Sequence, residues 1–272
     1  MNNGASIITP SWNNLPYLKF MIESIRKNSV YDHQIIVHVQ EGSDGTIQWL
    51  EEQGIEYTHT PQNVGICSGF NMAATKASRE WLCLTDDDMY YFPGWDKALF
   101  DFYVENEMPE LSWISGTIVE HRPSSFPSFI IRDYGNSIET FRESDALRDY
   151  ESFKHKFNWI HNGSMPVMVK KKFFDEVGGY DTDFDPSPGS EESFCMRLYQ
   201  LGCRNFVSVK DCVAYHFASL TNRKPNNMVK KDSNRTFHEK YGMVIREFNQ
   251  MIGKDTPWHK QENEISIFKH SG

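Results

Sequence analysis

No apolar run in the chain approaches the ~20 residues that carry a helix across a bilayer, so a spanning helix is excluded and peripheral association is the membrane role left open. The opening stretch MNNGASIITP lacks the charged and apolar regions of a secretory signal, which predicts a cytoplasmic protein. Cysteine is scarce. The five residues (Cys67, Cys83, Cys195, Cys203, Cys212) are odd in number, show no CxxC spacing and fall partly in apolar runs, which predicts free, buried thiols rather than a disulfide framework or a thiolate metal site. The sequons at Asn162 and Asn234 then read as chance matches. A basic surplus is also missing: the formal net charge is -9, which disfavours nucleic acid as a partner. Repeats and low-complexity tracts are absent. What remains is a 272-residue chain, 39% hydrophobic and 14% aromatic, enough to bury a substantial core.

The first half alternates strand and helix signals. ASIIT reads as a strand, LPYLKFMIESIRKN as an amphipathic helix, and QIIVHV as the next strand. DGTIQWLEEQG reads as a short helix ending at Gly54, with Asp44 as its N-cap. IEYTHT, GICSGFNMAATKAS, EWLCLT and GWDKALFDFYVEN continue the alternation. This order predicts an α/β fold, a three-layer sandwich around a central, largely parallel mixed sheet. From Arg122 to Trp159 the pattern gives way to a long excursion rich in Pro, Ser, charges and aromatics. Its Phe126, Phe129, Tyr134, Phe141, Tyr150, Phe153 and Phe157 suit either a small local core or stacking on sugar rings. Regularity returns with a strand and helix in SMPVMVKKKFFDEVGGYD, a helix in EESFCMRLYQLG, two late strands in NFVSV and CVAYHF, and one helix in NRTFHEKYGMVIREFNQMI.

The feature with most chemistry is LCLTDDDMYYF, where an apolar run ends in Asp86, Asp87 and Asp88. Such acids serve as oxygen ligands of a hard cation, as a general acid/base pair, or as helix-capping surface charge. Apolar neighbours on both sides argue against a polar loop. In open α/β sheets ligands gather at the carboxyl ends of strands, which is where these acids fall. Alternate residues of an extended chain share a face, so Asp86 and Asp88 form a D-x-D pair able to meet one metal-bound diphosphate, with Asp87 turned away. Glu191 and Glu192 open a later helix, read either as favourable first-turn acids or as a general base. His216 ends the apolar run AYHF, where a lone histidine is more often a core or loop residue than a ligand.

Taken together, these blocks resemble a family-two glycosyltransferase of the GT-A fold. The resemblance runs from about Ser6 to Tyr241. It rests on SIITPSWNNLPYLKFMIESI, IIVHVQEGSDGT, the block PQNVGICSGFNMAATKASREWLCLTDDDMYYFPGW with Asn63, Gly65, Asn71, Asp86, Asp88 and Trp95, then KKKFFDEVGGYDTDF, GSEESFCMRLYQLGCR and YHFAS. It implies a nucleotide-sugar donor, a divalent metal (Mn²⁺ or Mg²⁺) and inversion at the anomeric carbon. Asp88 and His216 then fall at metal-ligand positions, with Asp86 on the metal or the ribose and Asp87 beside the donor. Counting back from Arg197 places Glu191 at the catalytic base. A register shifted by one gives Glu192.

The second strand ends in Gln40-Glu41 where the family usually has paired aspartates. Glu41 can still accept from a base edge such as uracil, which favours a UDP-sugar. Thr9, Pro10 and Trp12 are placed around the base. Asn63 and Asn71 are read as pocket wall or as turn and cap residues. Arg223, Lys224, Lys230 and Lys231 are read as a basic lid over the diphosphate or as a polar tail. Trp159, His161 and Asn162 precede a strand on the acceptor side, and the acceptor is the hydroxyl of a glycan, a lipid-linked sugar or a protein. The expected organisation is residues 1–220 as the transferase domain (1–118 for the donor, 119–220 for acceptor and base), with 221–272 a basic lid packed on it. A nucleotidyltransferase is disfavoured because TPSWNNLPYLK has no glycine-rich phosphate loop. A glycoside hydrolase leaves the Gly-Ser-Asp-Gly-Thr block unexplained. A catalytically silent nucleotide- or sugar-binding module is separated only by turnover.

Overall fold

The computed structural model describes residues 4–186, 188–218 and 232–260. Its first half follows the expected alternation: β1 (Ser6–Trp12), α1 (Leu15–Asn28), β2 (Gln34–Gln40), α2 (Thr46–Gln53), β3 (Glu56–Thr60), α3 (Ile66–Ala74), β4 (Trp81–Leu84), β5 (Met89–Tyr91) and α4 (Trp95–Glu105). The second half adds β6 (Trp113–Glu120), β7 (Ile130–Ile131), α5 (Glu143–Phe153), β8 (Trp159–Ile160), β9 (Val167–Lys170), α6 (Lys171–Glu176), α7 (Ser190–Leu201), β10 (Phe206–His216), α8 (Ser233–Tyr241) and α9 (Ile245–Met251). The strands form one sheet in the order β3-β2-β1-β4-β9-β6-β10-β5, with β7 beside β6 and β8 beside β10. β3, β2, β1 and β4 are parallel, as are β6 and β10, whereas β9, β5 and β8 run antiparallel to their neighbours. The architecture is the mixed-sheet α/β fold of GT-A type.

The central strands β4 and β6 are buried from end to end, polar residues of β6 included, the pattern of strands covered on two sides rather than one. At the edge, β3 buries none of its residues fully and leaves Glu56 and His59 exposed. Asp44 has a wider role than the cap expected of it. Gly45 is the N-cap of α2, while Asp44 accepts from Thr46 N and Oγ1 and from Leu15 N at 2.8 Å, so one carboxylate ties the starts of α1 and α2 together.

Two expectations are corrected. NFVSV and CVAYHF are one strand, β10, whose pairing with β6 shifts register between Val209 and Val213. The polar Lys210-Asp211 pair lies in a bulge, which keeps the strand while interrupting the apolar pattern. The late helix is two, α8 and α9, because Gly242 takes a left-handed φ of 73° and closes α8. The aromatics of the excursion mostly form a second core: Tyr134, Phe141, Tyr150 and Phe153 pack with Tyr17, Tyr90, Phe92, Tyr215 and Phe217. Phe126 and Phe157 stay 40% exposed. The C-terminal segment is bound to the main core. Phe237 and Phe248 are fully buried, Ile160 N donates to Thr256 O, and Trp258 N donates to Asn158 O. No helix of the described residues is long and apolar enough to cross a membrane.

Candidate functional site

β4 ends at Leu84 opposite Ile8, while β1 runs on to Trp12, and Thr85 N donates to Ile8 O just past the end of β4. In the order β3-β2-β1-β4 the chain moves outward from β1 in one direction and then crosses to its other side. The crevice between the carboxyl ends of β1 and β4 is therefore where such a sheet takes a ligand. Asp86, Asp87 and Asp88 lie at that point, in the turn that reverses the chain into β5.

β5 pairs antiparallel with the end of β10, Met89 opposite His216. This register brings Asp88 to His216: Nε2 of the ring is 3.4 Å from Asp88 Oδ1, and Phe217 N donates to Asp88 O. One ligand atom each from Asp86, Asp88 and His216 lies within 4.8 Å of the others. Two carboxylates and one imidazole at this spacing fit a hard or borderline divalent cation such as Mg²⁺ or Mn²⁺. The electrostatics agree. Burial, then the charge of Asp88, raises the Asp86 carboxyl to about 6. Burial alone would lower His216, but Asp88, Glu120 and Asp86 outweigh it and hold the imidazole well above its ordinary value. The site concentrates negative charge that a cation offsets.

Asp87 points elsewhere. Its carboxylate accepts from Ser11 Oγ at 2.6 Å and Asn14 Nδ2 at 3.0 Å, locking the acid turn to the β1–α1 loop. Burial, then Asp88, raises it to about 7. Thr9 is fully buried, Pro10 partly so. Trp12 Nε1 donates to Glu41 Oε2 at 2.8 Å, and Glu41, in a left-handed conformation (φ 67°), also accepts from Ser43 Oγ. Those bonds, Trp12 first, lower the Glu41 carboxyl. The neighbouring Gln40 accepts from Val64 N and Gly65 N, so it holds the β3–α3 loop. Asn63 accepts from Gly65 N, and Asn71 donates to Tyr180 O and accepts from Tyr180 N, so these bonds of both asparagines go to backbone.

α7 carries the second acidic pair in its first turn. Ser190 Oγ donates to Glu191 Oε2 at 2.7 Å. Burial first, then Glu192, raises Glu191 to about 7, and the charge of Asp86 adds to the rise. Glu192 instead faces Lys254, whose Nζ lies 3.5 Å from Oε1. Of the residues expected on the acceptor side, Trp159 has its Nε1 buried with no hydrogen-bond partner among the described residues. His161 is 1% exposed and shares Nδ1 between Asp255 Oδ1 and Ser128 Oγ. Asn162 is fully buried and donates to Asn249. Arg223, Lys224, Lys230 and Lys231 lie outside the described residues.

Sequence reasoning missed four residues here. Glu120, at the end of β6, accepts from His216 Nδ1 at 2.7 Å. It follows an apolar run just as Asp86 does, and that signal was available. Lys254 and Asp255 sit in a polar stretch with nothing to mark them. Asp185 accepts from Cys67 N, Ser68 N and Ser68 Oγ, capping α3 from the loop before α7.

Comparisons with known proteins bear on the fold and the family of the chain. The family described as Glycosyl transferase family 2 matches residues 6–162, more than half of the chain. An uncharacterized glycosyltransferase of Bacillus subtilis, YwdF, is 24% identical over 182 residues, 65% of this chain, and the chain spans 62% of that relative's length. Among solved structures, GalNAc-T7 with UDP, GalNAc and Mn²⁺ superposes with a TM-score of 0.62 at 12% identity, over 93% of this chain and 56% of that one. The mannosyltransferase PcManGT of Pyrobaculum calidifontis, with GDP-Man and Mn²⁺, gives 0.52 at 18% identity, over 79% and 57%. The TarS 1–349 fragment of S. aureus gives 0.51 at 13% identity, over 79% and 58%. These likenesses carry the fold. With the family match over strands β1 to β8, they leave one assignment: the chain belongs to glycosyl transferase family 2.

Proposed function

We propose that the protein is an inverting glycosyltransferase that moves a sugar from a nucleotide-diphosphate sugar, with a UDP-sugar favoured, to a hydroxyl of a glycan, a lipid-linked sugar or a protein. The observation that carries this reading is the convergence of Asp86, Asp88 and His216 at the β1/β4 crevice, with Glu191 near enough to feel the charge of Asp86. Asp86, Asp88 and His216 would hold Mn²⁺ or Mg²⁺, which would supply charge neutralisation to the donor diphosphate.

The chain's own groups do the rest. Glu191 takes the proton from the acceptor hydroxyl as that oxygen bonds the anomeric carbon. On the opposite face the carbon–oxygen bond to the diphosphate breaks, and its electron pair leaves with the nucleotide. One displacement inverts the centre. Glu191 suits this role because burial raises its proton affinity towards neutrality, whereas Glu192 is tied to Lys254. Asp87 positions the acid turn through Ser11 and Asn14. Trp12 and Glu41 form the rim for the base, with Thr9 and Pro10 behind them and Asn63 and Asn71 bracing the wall. His161 and Asn162, both buried, and Trp159 back the acceptor side. In this reading residues 1–118 serve the donor and 119–220 the acceptor in a cytoplasmic enzyme, and the lid expected over 221–272 falls in part outside the described residues.

A thermal-shift screen of nucleoside diphosphates with and without Mn²⁺ or Mg²⁺ tests the donor site. A ligand that binds the native state raises the midpoint, and UDP with metal is expected to raise it most. No rise with any nucleotide and either metal overturns the proposal. Binding without turnover of any nucleotide-sugar leaves a silent binding module instead.

A further inference from the structure

β6 and β10 run parallel, and their pairing places the last residue of one beside the last residue of the other: Glu120 opposite His216. The ring nitrogens of His216 face different partners. Nδ1 meets Glu120 Oε1 at 2.7 Å, and Nε2 points to Asp88 and the carboxylate cluster. An imidazole presents a lone pair at one nitrogen only when the other carries the proton, and the hydrogen bond at that second nitrogen decides which. A carboxylate accepts and cannot donate. Glu120 therefore draws the proton to Nδ1 and leaves the lone pair on Nε2, aimed at the cluster.

The placement has a cost. Glu120 is 7% exposed, and a carboxylate out of water is unfavourable unless paired. Its position is also fixed from outside the site, since its backbone carbonyl accepts from Arg132 N beside β7. A rigid strand end thus holds a buried acid whose hydrogen bond sets the orientation of one ring.

We propose that Glu120 is the positioning residue of the metal site, the outer carboxylate that orients His216 and fixes its tautomer so that Nε2 is the ligand atom. This rests on the reading that Asp86, Asp88 and His216 hold the divalent cation. Outer partners of this kind typically change metal affinity by about 10–100-fold.

The test needs neither donor nor acceptor. Mn²⁺ binding to the purified full chain is measured by electron paramagnetic resonance of the free ion, and nitrogen coordination by ¹⁴N coupling to bound Mn²⁺. The wild type is expected to bind Mn²⁺ with one histidine nitrogen coupled. Glu120→Ala is expected to bind about 10–100-fold more weakly and to lose the ¹⁴N coupling even at saturating Mn²⁺. Glu120→Gln keeps an accepting oxygen and is expected to regain the coupling, which a merely structural role does not predict. His216→Ala loses the coupling outright. Wild-type affinity and coupling in Glu120→Ala overturns this inference alone. Failure of the wild type to bind Mn²⁺ overturns the metal reading itself, and this inference with it.

Discussion

Lys254 Nζ lies 3.5 Å from Glu192 Oε1, and this contact makes two adjacent glutamates chemically unlike. Glu192 is a paired anion. Glu191 is bonded by Ser190 Oγ and buried enough to be raised to about 7. Glu191→Gln is therefore expected to lower transfer by about 10²–10⁴-fold, the range for loss of a general base, while nucleotide binding in the thermal-shift assay stays intact. Glu192→Gln is expected to keep transfer within about tenfold. The reverse ranking would place the base one residue later.

The same environment sets a pH dependence. A general base acts only as the carboxylate, so with Glu191 in the proposed role kcat/KM for transfer should fall about tenfold per pH unit below roughly 7. Glu192→Gln removes the nearest negative charge and should move that acidic limb to lower pH. A limb that stays in place would mean that Glu192 does not act on the base. The profile is measured in overlapping buffers at fixed metal concentration.

Much of this site was legible because its chemistry sits at strand ends, and strand ends are what apolar patterning marks. WLCLT ending in Asp86 to Asp88 announced both a buried strand and its acids. AYHF did the same for His216. What stayed hidden depends on three-dimensional register. Nothing local says that β5 folds back to set Asp88 against His216, or that β6 and β10 end level. Lys254 and Asp255 lie in a stretch whose polar composition reads as tail, yet their partners Glu192 and His161 are core-side residues. The long excursion was unreadable for a related reason: its aromatics bury against Tyr90, Phe92 and Tyr215 of the main sheet rather than along any local period.

Asp185 ties the start of α3 to the loop before α7. It accepts from Cys67 N at 2.8 Å and Ser68 N at 3.0 Å, two of the donors that a helix start leaves unsatisfied. Gly65, at φ 95°, makes the room: a Cβ there would lie 2.2 Å from Asp185 Cγ. Asp185→Ala should cost about 2–3 kcal/mol, the loss of a cap with its donors left buried. At roughly 2–4 °C per kcal/mol, the midpoint falls by about 4–12 °C in a thermal melt. Asp185→Asn keeps one accepting oxygen and should lose less. An unchanged midpoint for Asp185→Ala would show that the α3 start is satisfied without this carboxylate.

Two groups, His38 and the half-buried Glu191, make opposite contributions to acid stability. His38 is fully buried, with ring nitrogens on Thr58 Oγ1 and Thr60 Oγ1. Burial, then His59, lowers it from 6.5 to about 4. Between those values the unfolded chain takes up the proton and the folded one does not, so stability from His38 is present above 6.5 and lost as pH falls to 4. Glu191 is raised from 4.5 to about 7. Over that window the folded protein holds the extra proton, so stability from this group grows as pH falls and is lost as pH rises through 7. Urea unfolding of the wild type, His38→Gln and Glu191→Gln from pH 7.5 to 4.5 separates the two. The advantage of wild type over His38→Gln should shrink as pH falls. Relative to Glu191→Gln, wild type should gain over the same range. Differences that move in the same direction would mean that one of these side chains meets water in solution. For Glu191 that result would also remove the physical basis for its action as a base near neutral pH.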